Sequence, residues 1–443
     1  MTDFQWSLLL GLLTAGLGLG AARFPLLAWV TLAPLGVATY RLSPVLAALA
    51  GALAGATLVA STFVSRTMRP ILPIAGASSA VSWGLSSALV ATLWPDGEPA
   101  WGGLLIPALS VSAVYPLYLV GAPRWAANPL ARSQEKWLPV VHISRVGSDL
   151  FVTTTLGTSA AVVTLLVVEI PPRASTLLAA ALAAAVLSGA LTYGFTSYRM
   201  AQRRVTSSRR LRVAAVSCDG PPPSVPLDGL WPLCSPDYAD VDGTLNRYEP
   251  HVTTAATAGA RVVVLPEVAV RVTERSRQSW IDGVCRWAQT LELVIVAPFY
   301  DESRRCNELV IAGPQGEILA RYEKQHPAPV EAKRRERMPP GMVELDEPGH
   351  PALSTVICVD LDYNDLIRPV AGTRGILAAP SNDWPVFEAM HHRTAVWAAV
   401  MSGVSLIRAT GHGTSAAYDP SGHVLRQQSS LNGPVVLVAD LPL

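Results

Sequence analysis

Three short stretches of the chain place a reactive side chain where an apolar run gives out. The first is Val262-Val263-Val264-Leu265-Pro266-Glu267, a strand-like run ending in a proline and a carboxylate. A carboxylate at a strand's C-terminal end is well placed to act as a general base. The second, Tyr322-Glu323-Lys324-Gln325-His326, follows the hairpin-like Gly313-Pro314-Gln315-Gly316-Glu317. Its lysine could stabilise an oxyanion or raise the thiolate fraction of a neighbouring cysteine. The third is Val356-Ile357-Cys358-Val359-Asp360, with Asp365 and Arg368 downstream. A cysteine between an apolar strand and an acidic turn can be a nucleophile. Taken singly, each has a plain alternative: a surface Pro-Glu turn, a solvated lysine, a buried structural thiol. Taken together, carboxylate, ammonium and thiol are the parts of an acyl-transfer site.

The remaining cysteines do not compete for that role. Among the five in the chain no two share a CxxC spacing, which argues against a zinc site. Cys218 and Cys234 could pair in an oxidising compartment; Cys285 falls in a helix-like segment and Cys306 in a loop. These four read as buried or idle thiols. No metal and no cofactor is expected.

The elements that would carry the reactive residues alternate. Strand-like runs occupy 211–217, 261–265, 292–297, 307–312, 354–358 and 375–379, with helical stretches around 243–259, 275–290 and 388–403. Asp219-Gly220, Pro314-Gln315-Gly316 and Pro420-Ser421-Gly422 mark turns. Alternating strands and helices predict packed α/β layers over residues 211–443.

The first 198 residues read differently. Half of the chain's 443 residues are hydrophobic and only 15% are charged, against roughly a quarter in a soluble domain. Apolar runs at 5–21, 24–40, 44–64, 70–94, 101–121, 149–169 and 174–196 approach the ~20 residues that cross a bilayer as a helix. They predict a transmembrane domain of about seven helices over 1–198, the first two short enough for a tight hairpin. The first run has no Lys or Arg before it and is followed at once by another, unlike a cleavable signal peptide. Trp94, Trp101, Trp125 and Trp137 sit near span ends, as indoles do at the headgroup zone. The joint 122–148 reads as an amphipathic segment against the membrane surface or as a plain loop. A basic linker over 199–210 carries Arg203, Arg204, Arg209 and Arg210. The net charge of +1 and the lack of a basic stripe interleaved with aromatics give no sign of a nucleic-acid partner.

The order and spacing of Glu267, Lys324 and Cys358 resemble the nitrilase (carbon–nitrogen hydrolase) superfamily. The likeness extends to the Val-Val-x-Pro-Glu strand end, to Tyr-x-Lys-x-His, and to a cysteine followed by an acid at Asp360 and an arginine at Arg368. It implies an α-β-β-α sandwich with Cys358 as nucleophile, Glu267 as general base, Lys324 as stabiliser of the tetrahedral intermediate and the backbone N–H of Val359 as a second oxyanion donor. Apolar spans ahead of such a domain look like the apolipoprotein N-acyltransferase family. Gly11-Leu12-Leu13-Thr14 through Phe24-Pro25-Leu26-Leu27-Ala28-Trp29, the Asn128-Pro129-Leu130 to Gln134 joint, Ser381-Asn382-Asp383-Trp384 and Leu406-Ile407-Arg408-Ala409-Thr410 are similar to that family's stretches.

That resemblance implies a phospholipid acyl donor, a Cys358 thioester, and transfer to the α-amine of a diacylglyceryl-cysteine lipoprotein. It also implies a positioning role for Glu331, a supporting one for Asp360 and Arg368, and an acyl pocket lined by Asn382 and Trp384. A membrane-tethered amidase or acyltransferase with another amine acceptor is the alternative. The family implies a multi-pass protein of the bacterial inner membrane with its catalytic half periplasmic. The basic joints, counted by the positive-inside rule, point to the cytoplasm.

Overall fold

The computed structural model describes residues 1–60, 72–120, 122, 124–218, 240–327, 341–344, 352–371, 375–383 and 388–443. The chain divides into two compact units, Met1–Arg199 and Met200–Leu443.

The first unit is helical: α1 (Asp3–Ala21), α2 (Ala33–Arg41), α3 (Pro44–Ala60), α4 (Leu72–Leu93), α5 (Gly102–Leu119), the short α6 (Arg124–Ala127), α7 (Pro129–Arg132) and α8 (Leu138–Val141), then α9 (Asp149–Val168) and α10 (Ala174–Ser207). Among the described residues, five helices are long and apolar enough to cross a membrane, judged by length and composition: α1, α4, α5, α9 and α10. The expected span at 24–40 is not one helix. Pro25 opens a 3-10 turn, Pro25–Trp29, and Pro34 stands in the first turn of the nine-residue α2. Proline suits a helix start, and each of these two stands at the start of its short helical segment. The span at 44–64 begins as the 17-residue α3; residues 61–71 lie outside the described residues.

Close helix approach here depends on small side chains. A Cβ on Gly51 would lie 2.5 Å from the Trp83 carbonyl oxygen, and one on Gly55 2.6 Å from that of Ser79. The joint at 122–148 is not a plain loop: it contains three short helices and buries part of its side chains. Arg124, Asn128, Gln134 and His142 are buried within the unit. Asp149 at the start of α9 accepts hydrogen bonds from Asn128 Nδ2 at 2.8 Å and from the Tyr118 hydroxyl, with Arg124 at 3.7 Å. Gln134 accepts from Trp29 Nε1 at 3.1 Å and donates to the Pro25 carbonyl at 2.9 Å. Buried polar groups need such partners, and these fasten the joint inward.

The anticipated basic linker is largely helix. Residues 199–207 contain neither Gly nor Pro, and α10 runs through them to Ser207.

The second unit contains β1 (Arg210–Ser217), α11 (Val241–Thr257), β2 (Val262–Val264), β3 (Arg271–Val272), α12 (Arg277–Leu291), β4 (Val294–Asp301), β5 (Cys306–Ala312), β6 (Ile318–Glu323), β7 (Gly341–Glu344), β8 (Ala352–Thr355), α13 (Asn364–Ile367), β9 (Gly375–Asn382), α14 (Glu388–Ser402), β10 (Ser405–Gly411), β11 (Thr414–Tyr418), β12 (Val424–Ser429) and β13 (Val435–Pro442). One sheet runs β13-β1-β2-β4-β5-β6, with β3 beside β4; the other runs β12-β11-β10-β9-β8-β7. In the first, β1, β2 and β4 are parallel; in the second, β8, β9 and β10 are.

The strand sequences explain the layering. In β1, Val213 and Ala215 enter a core shared by both sheets, while Ala214 and Val216 enter a core shared with α11 and α12. The same alternation continues through Val262, Val263, Val264 and Leu265. Strands buried on both faces read as unbroken apolar runs, as these do. Helix α14 packs on β10 and β11 and supplies the other outer layer. The unit is therefore the expected α-β-β-α sandwich.

Trp280 of α12 is fully buried in the helix–sheet core, edge-on to Trp287 with ring centroids 6.3 Å apart. Truncating a buried tryptophan costs about 3–5 kcal/mol. Trp280→Ala is expected to lower the denaturation midpoint of the detergent-solubilised full chain markedly, followed by tryptophan fluorescence; a midpoint equal to wild type would contradict this packing.

Candidate active site

The reactive residues gather past the carboxyl ends of four strands. Glu267 follows β2, Lys324 directly follows β6, Cys358 follows β8, and Asn382 ends β9. In parallel sheets the carboxyl ends of the strands are where ligands bind.

Glu267 and Lys324 are both 5% exposed, and Lys324 Nζ lies 2.7 Å from Glu267 Oε1. The same oxygen accepts from Asn307 Nδ2 at 3.1 Å. Backbone bonds hold both residues in place. The Glu267 amide donates to the Ser381 carbonyl at 3.2 Å, and the Lys324 amide to the Asn307 carbonyl at 2.9 Å.

Strand β8 ends at Thr355, and Cys358 opens a 3-10 turn, Cys358–Asp362, with φ +51°. The expectation that the strand runs on to the cysteine fails by three residues. The reason is local: a non-glycine residue in the left-handed region is strained, a feature that clusters at functional sites. The turn carries the side chain out of the strand's alternation. Its sulfur lies 4.0 Å from the Asn382 carbonyl oxygen. Burial pushes the Cys358 thiol well up from its ordinary value; the Glu267 carboxylate adds to this, and Lys324 opposes it. Burial and the Glu267 carboxylate both favour the thiol form, and Lys324, paired with Glu267, offsets them only in part. The arrangement sets a buried thiol near a carboxylate and an ammonium that are paired with each other.

Asp360 ties the cysteine turn to the lysine loop. Its carboxylate accepts from the Tyr322 hydroxyl at 2.8 Å, the Gln325 amide at 3.1 Å and the His326 amide at 2.8 Å. Those donors flank Lys324. Burial nevertheless pushes the Asp360 carboxyl up, against the pull of Lys324 and the three donors. The His326 ring stacks on Tyr363, centroids 3.4 Å apart, and closes the same junction.

Val359 stands next in the Cys358 turn, within a helical first turn where amides lack an intrahelical acceptor. Arg368, by contrast, is exposed and makes no bond to the triad or to Asp360 among the described residues. Glu331 and Trp384 lie outside the described residues, as does Cys234, the partner suggested for Cys218. Cys306 begins β5 rather than lying in a loop, and burial raises its thiol. Burial also raises that of Cys285 in α12.

Four residues were given no role from sequence. Asn307 lies in an ordinary strand start with no motif around it. His412, with φ +53°, contacts Asn382 Oδ1 at 3.2 Å through Nδ1. Asp383 and Arg408 form a buried bidentate pair, at 2.6 and 2.7 Å. For these two a signal existed: they sit in the stretches Ser381-Asn382-Asp383 and Leu406-Ile407-Arg408, where two charges border apolar strands.

A cysteine, a glutamate and a lysine at the strand ends of an α-β-β-α sandwich define a class, and the family comparison agrees with it. The chain belongs to the carbon–nitrogen hydrolase family, whose model matches residues 212–443. No curated protein matches the chain. Among solved structures, an amidase from Nesterenkonia sp. is 19% identical with a TM-score of 0.44, covering 53% of this chain and 91% of its own. A mutant of the Nesterenkonia sp. AN1 amidase, carrying the acetamide moiety of fluoroacetamide on its active-site cysteine, is 20% identical with a TM-score of 0.44, at 53% and 91%.

The charge arrangement predicts an alkylation profile. Iodoacetamide modification of Cys358, followed by mass spectrometry against pH, is expected to have its midpoint above the ~8.5 of a free thiol. Glu267→Gln removes the carboxylate that disfavours the thiolate and releases Lys324, so the midpoint should fall. A midpoint that rises or stays unchanged would contradict the geometry.

Proposed function

We propose that this chain is an N-acyltransferase that moves a fatty acyl chain from a phospholipid, through a Cys358 thioester, to the N-terminal amine of a diacylglyceryl-cysteine lipoprotein. The observation that carries the reading is the buried Glu267–Lys324 pair acting on the Cys358 thiol, in a chain with five helices, among the described residues, long and apolar enough to cross a membrane. The resemblance to the apolipoprotein N-acyltransferase family supplies the two substrates.

The chemistry follows from the site. Glu267 takes the Cys358 proton as the sulfur attacks the ester carbonyl of the phospholipid. Lys324 and the Val359 N–H stabilise the resulting oxyanion, a contribution of several kcal/mol in a dry site. The intermediate collapses, the lysophospholipid alkoxide leaves with the proton held by Glu267, and the acyl group remains as a thioester. The acceptor amine then attacks, Glu267 takes its proton, and the Cys358 thiol is released protonated. Splitting the transfer in two makes each step easier. Asn382 borders the acyl pocket in this reading, a role the family resemblance implies for Trp384 as well. The protein works in the bacterial inner membrane with its catalytic half extracytoplasmic.

Purified protein incubated with acyl-labelled phospholipid should gain one acyl group on Cys358, read by mass spectrometry, and lose it when a diacylated lipopeptide is added. Absence of label, or unchanged label in Cys358→Ala, would remove the acyl-enzyme. Label that no lipopeptide discharges would favour a different amine acceptor.

A reporter fused after Leu443 addresses the side of the membrane. The extracytoplasmic assignment expects activity from a reporter that works only outside the cytoplasm. Signal only from a cytoplasmic reporter would reverse it, in line with the basic joints.

A further inference from the structure

Three consecutive residues at the end of β9 each hold a different part of the site. The Ser381 carbonyl accepts the Glu267 amide at 3.2 Å. The Asn382 carbonyl faces the Cys358 sulfur at 4.0 Å. Asp383, fully buried, accepts Arg408 Nη2 on Oδ1 at 2.6 Å and Nη1 on Oδ2 at 2.7 Å. Base and nucleophile come from different loops, after β2 and after β8. Both reach this one strand end through backbone carbonyls, so its position fixes how far apart they stand.

That strand end is held from two sides. The Asp383 amide donates to the Gly411 carbonyl at 2.8 Å, continuing the parallel β9–β10 pairing one step past Asn382. Arg408 also donates to Thr410 Oγ1 at 3.0 Å and to the Thr414 carbonyl at 3.2 Å. From α14, His391 Nδ1 meets Asp383 Oδ1 at 2.9 Å. A charge pair this buried is expensive unless its geometry is good and its remaining lone pairs and protons are bonded. Here the fork is bidentate and further partners surround it. Stability alone is weak grounds for keeping a buried ion pair; precise placement of a strand end is a better one.

We propose that the Asp383–Arg408 pair is a positioning device that clamps the end of β9 and thereby sets the separation between the Glu267 carboxylate and the Cys358 sulfur. The pair touches no reacting atom and acts through Ser381 and Asn382. The proposal deepens the acyl-transfer reading, and its test needs no acyl donor.

The charged groups acting on Cys358 are Glu267, Lys324, Asp383 and Arg408. The electrostatic coupling between Glu267 and Cys358 depends on their separation, and the shift in alkylation midpoint caused by Glu267→Gln measures it. Arg408→Lys keeps the positive charge but cannot form the fork. In full-length protein in detergent, with iodoacetamide as probe, the Glu267→Gln shift should shrink to about half or less in the Arg408→Lys background, a non-additivity of the kind shown by coupled sites. A purely structural pair would lower the melting temperature and leave that shift intact, which would overturn the proposal. If Arg408→Lys does not fold, His391→Gln removes the contact from α14 while leaving the fork. The coupling should then fall by a smaller but measurable fraction, and a full-size shift would overturn the proposal. Failure of phospholipid to label the wild-type enzyme would count against the acyl-transfer reading and leave this cycle readable.

Discussion

The site rests on one buried ion pair, Lys324 on Glu267 at 2.7 Å. An ammonium and a carboxylate that are each almost wholly removed from water must compensate one another, and losing either partner costs about 3–5 kcal/mol. This mutual dependence has a chemical consequence. The lysine's charge is matched by the glutamate, and its pull on the Cys358 proton is outweighed by burial and by the Glu267 carboxylate, which push the thiol up. In the proposed acyl transfer the nucleophile would be made only when an electrophile arrives: as negative charge moves onto the substrate oxygen, Glu267 would receive the proton and Lys324 would be freed to meet that oxygen. Charge is shifted among groups already in place, which is the condition for electrostatic stabilisation without reorganisation in the transition state.

Such an arrangement needs side chains from distant parts of the chain to stay in register, and the sandwich supplies this through its strand ends. Glu267 and Cys358 are anchored on consecutive carbonyls of β9. Lys324 is held to the Asn307 carbonyl, and Asn307 in turn bonds Glu267. Asp360 joins the cysteine turn to the lysine loop through Tyr322, Gln325 and His326. Glu267 and Lys324 are each held by their own backbone amide, so their placement follows the sheets, while the Cys358 sulfur meets β9 through its side chain. The left-handed conformation at Cys358 fits this picture: strain at the nucleophile is tolerated because Asp360, two residues later, is fixed by three donors.

Much of this was legible in the sequence because strands buried on both faces leave unbroken apolar runs, and a reactive residue just past such a run stands out. The runs at 211–217 and 307–312 correspond closely to β1 and β5, and the helices around 243–259 and 275–290 to α11 and α12. Glu267, Lys324 and Cys358 do converge. What escaped was non-local. Strands β10 to β13 carry no reactive residue beside an apolar run, and Asn307 looks like any strand asparagine until the fold brings it to Glu267. In the first unit, the run 24–40 is apolar throughout but folds as a 3-10 turn and the short α2, each with a proline at its start, rather than as one helix. In the joint at 122–148, amphipathicity signals that one face is buried, not which partner buries it; within the unit Asp149, Trp29 and Pro25 partner its polar side chains.

The triad itself does not choose between hydrolysis and transfer. In the proposed reading a thioester on Cys358 would be attacked by water or by an amine through the same base and the same oxyanion donors, so the outcome would turn on which nucleophile reaches the carbonyl. Water is present at about 55 M in bulk solution, and an acceptor amine competes only where the acyl-enzyme is dry or the amine is held against it. A lipid-borne acceptor, as proposed here, would meet both conditions, since its tails would bring it to the surface that carries the acyl donor and confine its search to two dimensions. The proposal of transfer over hydrolysis therefore leans on the apolar helices of the first unit rather than on Cys358, Glu267 and Lys324, which would serve either reaction.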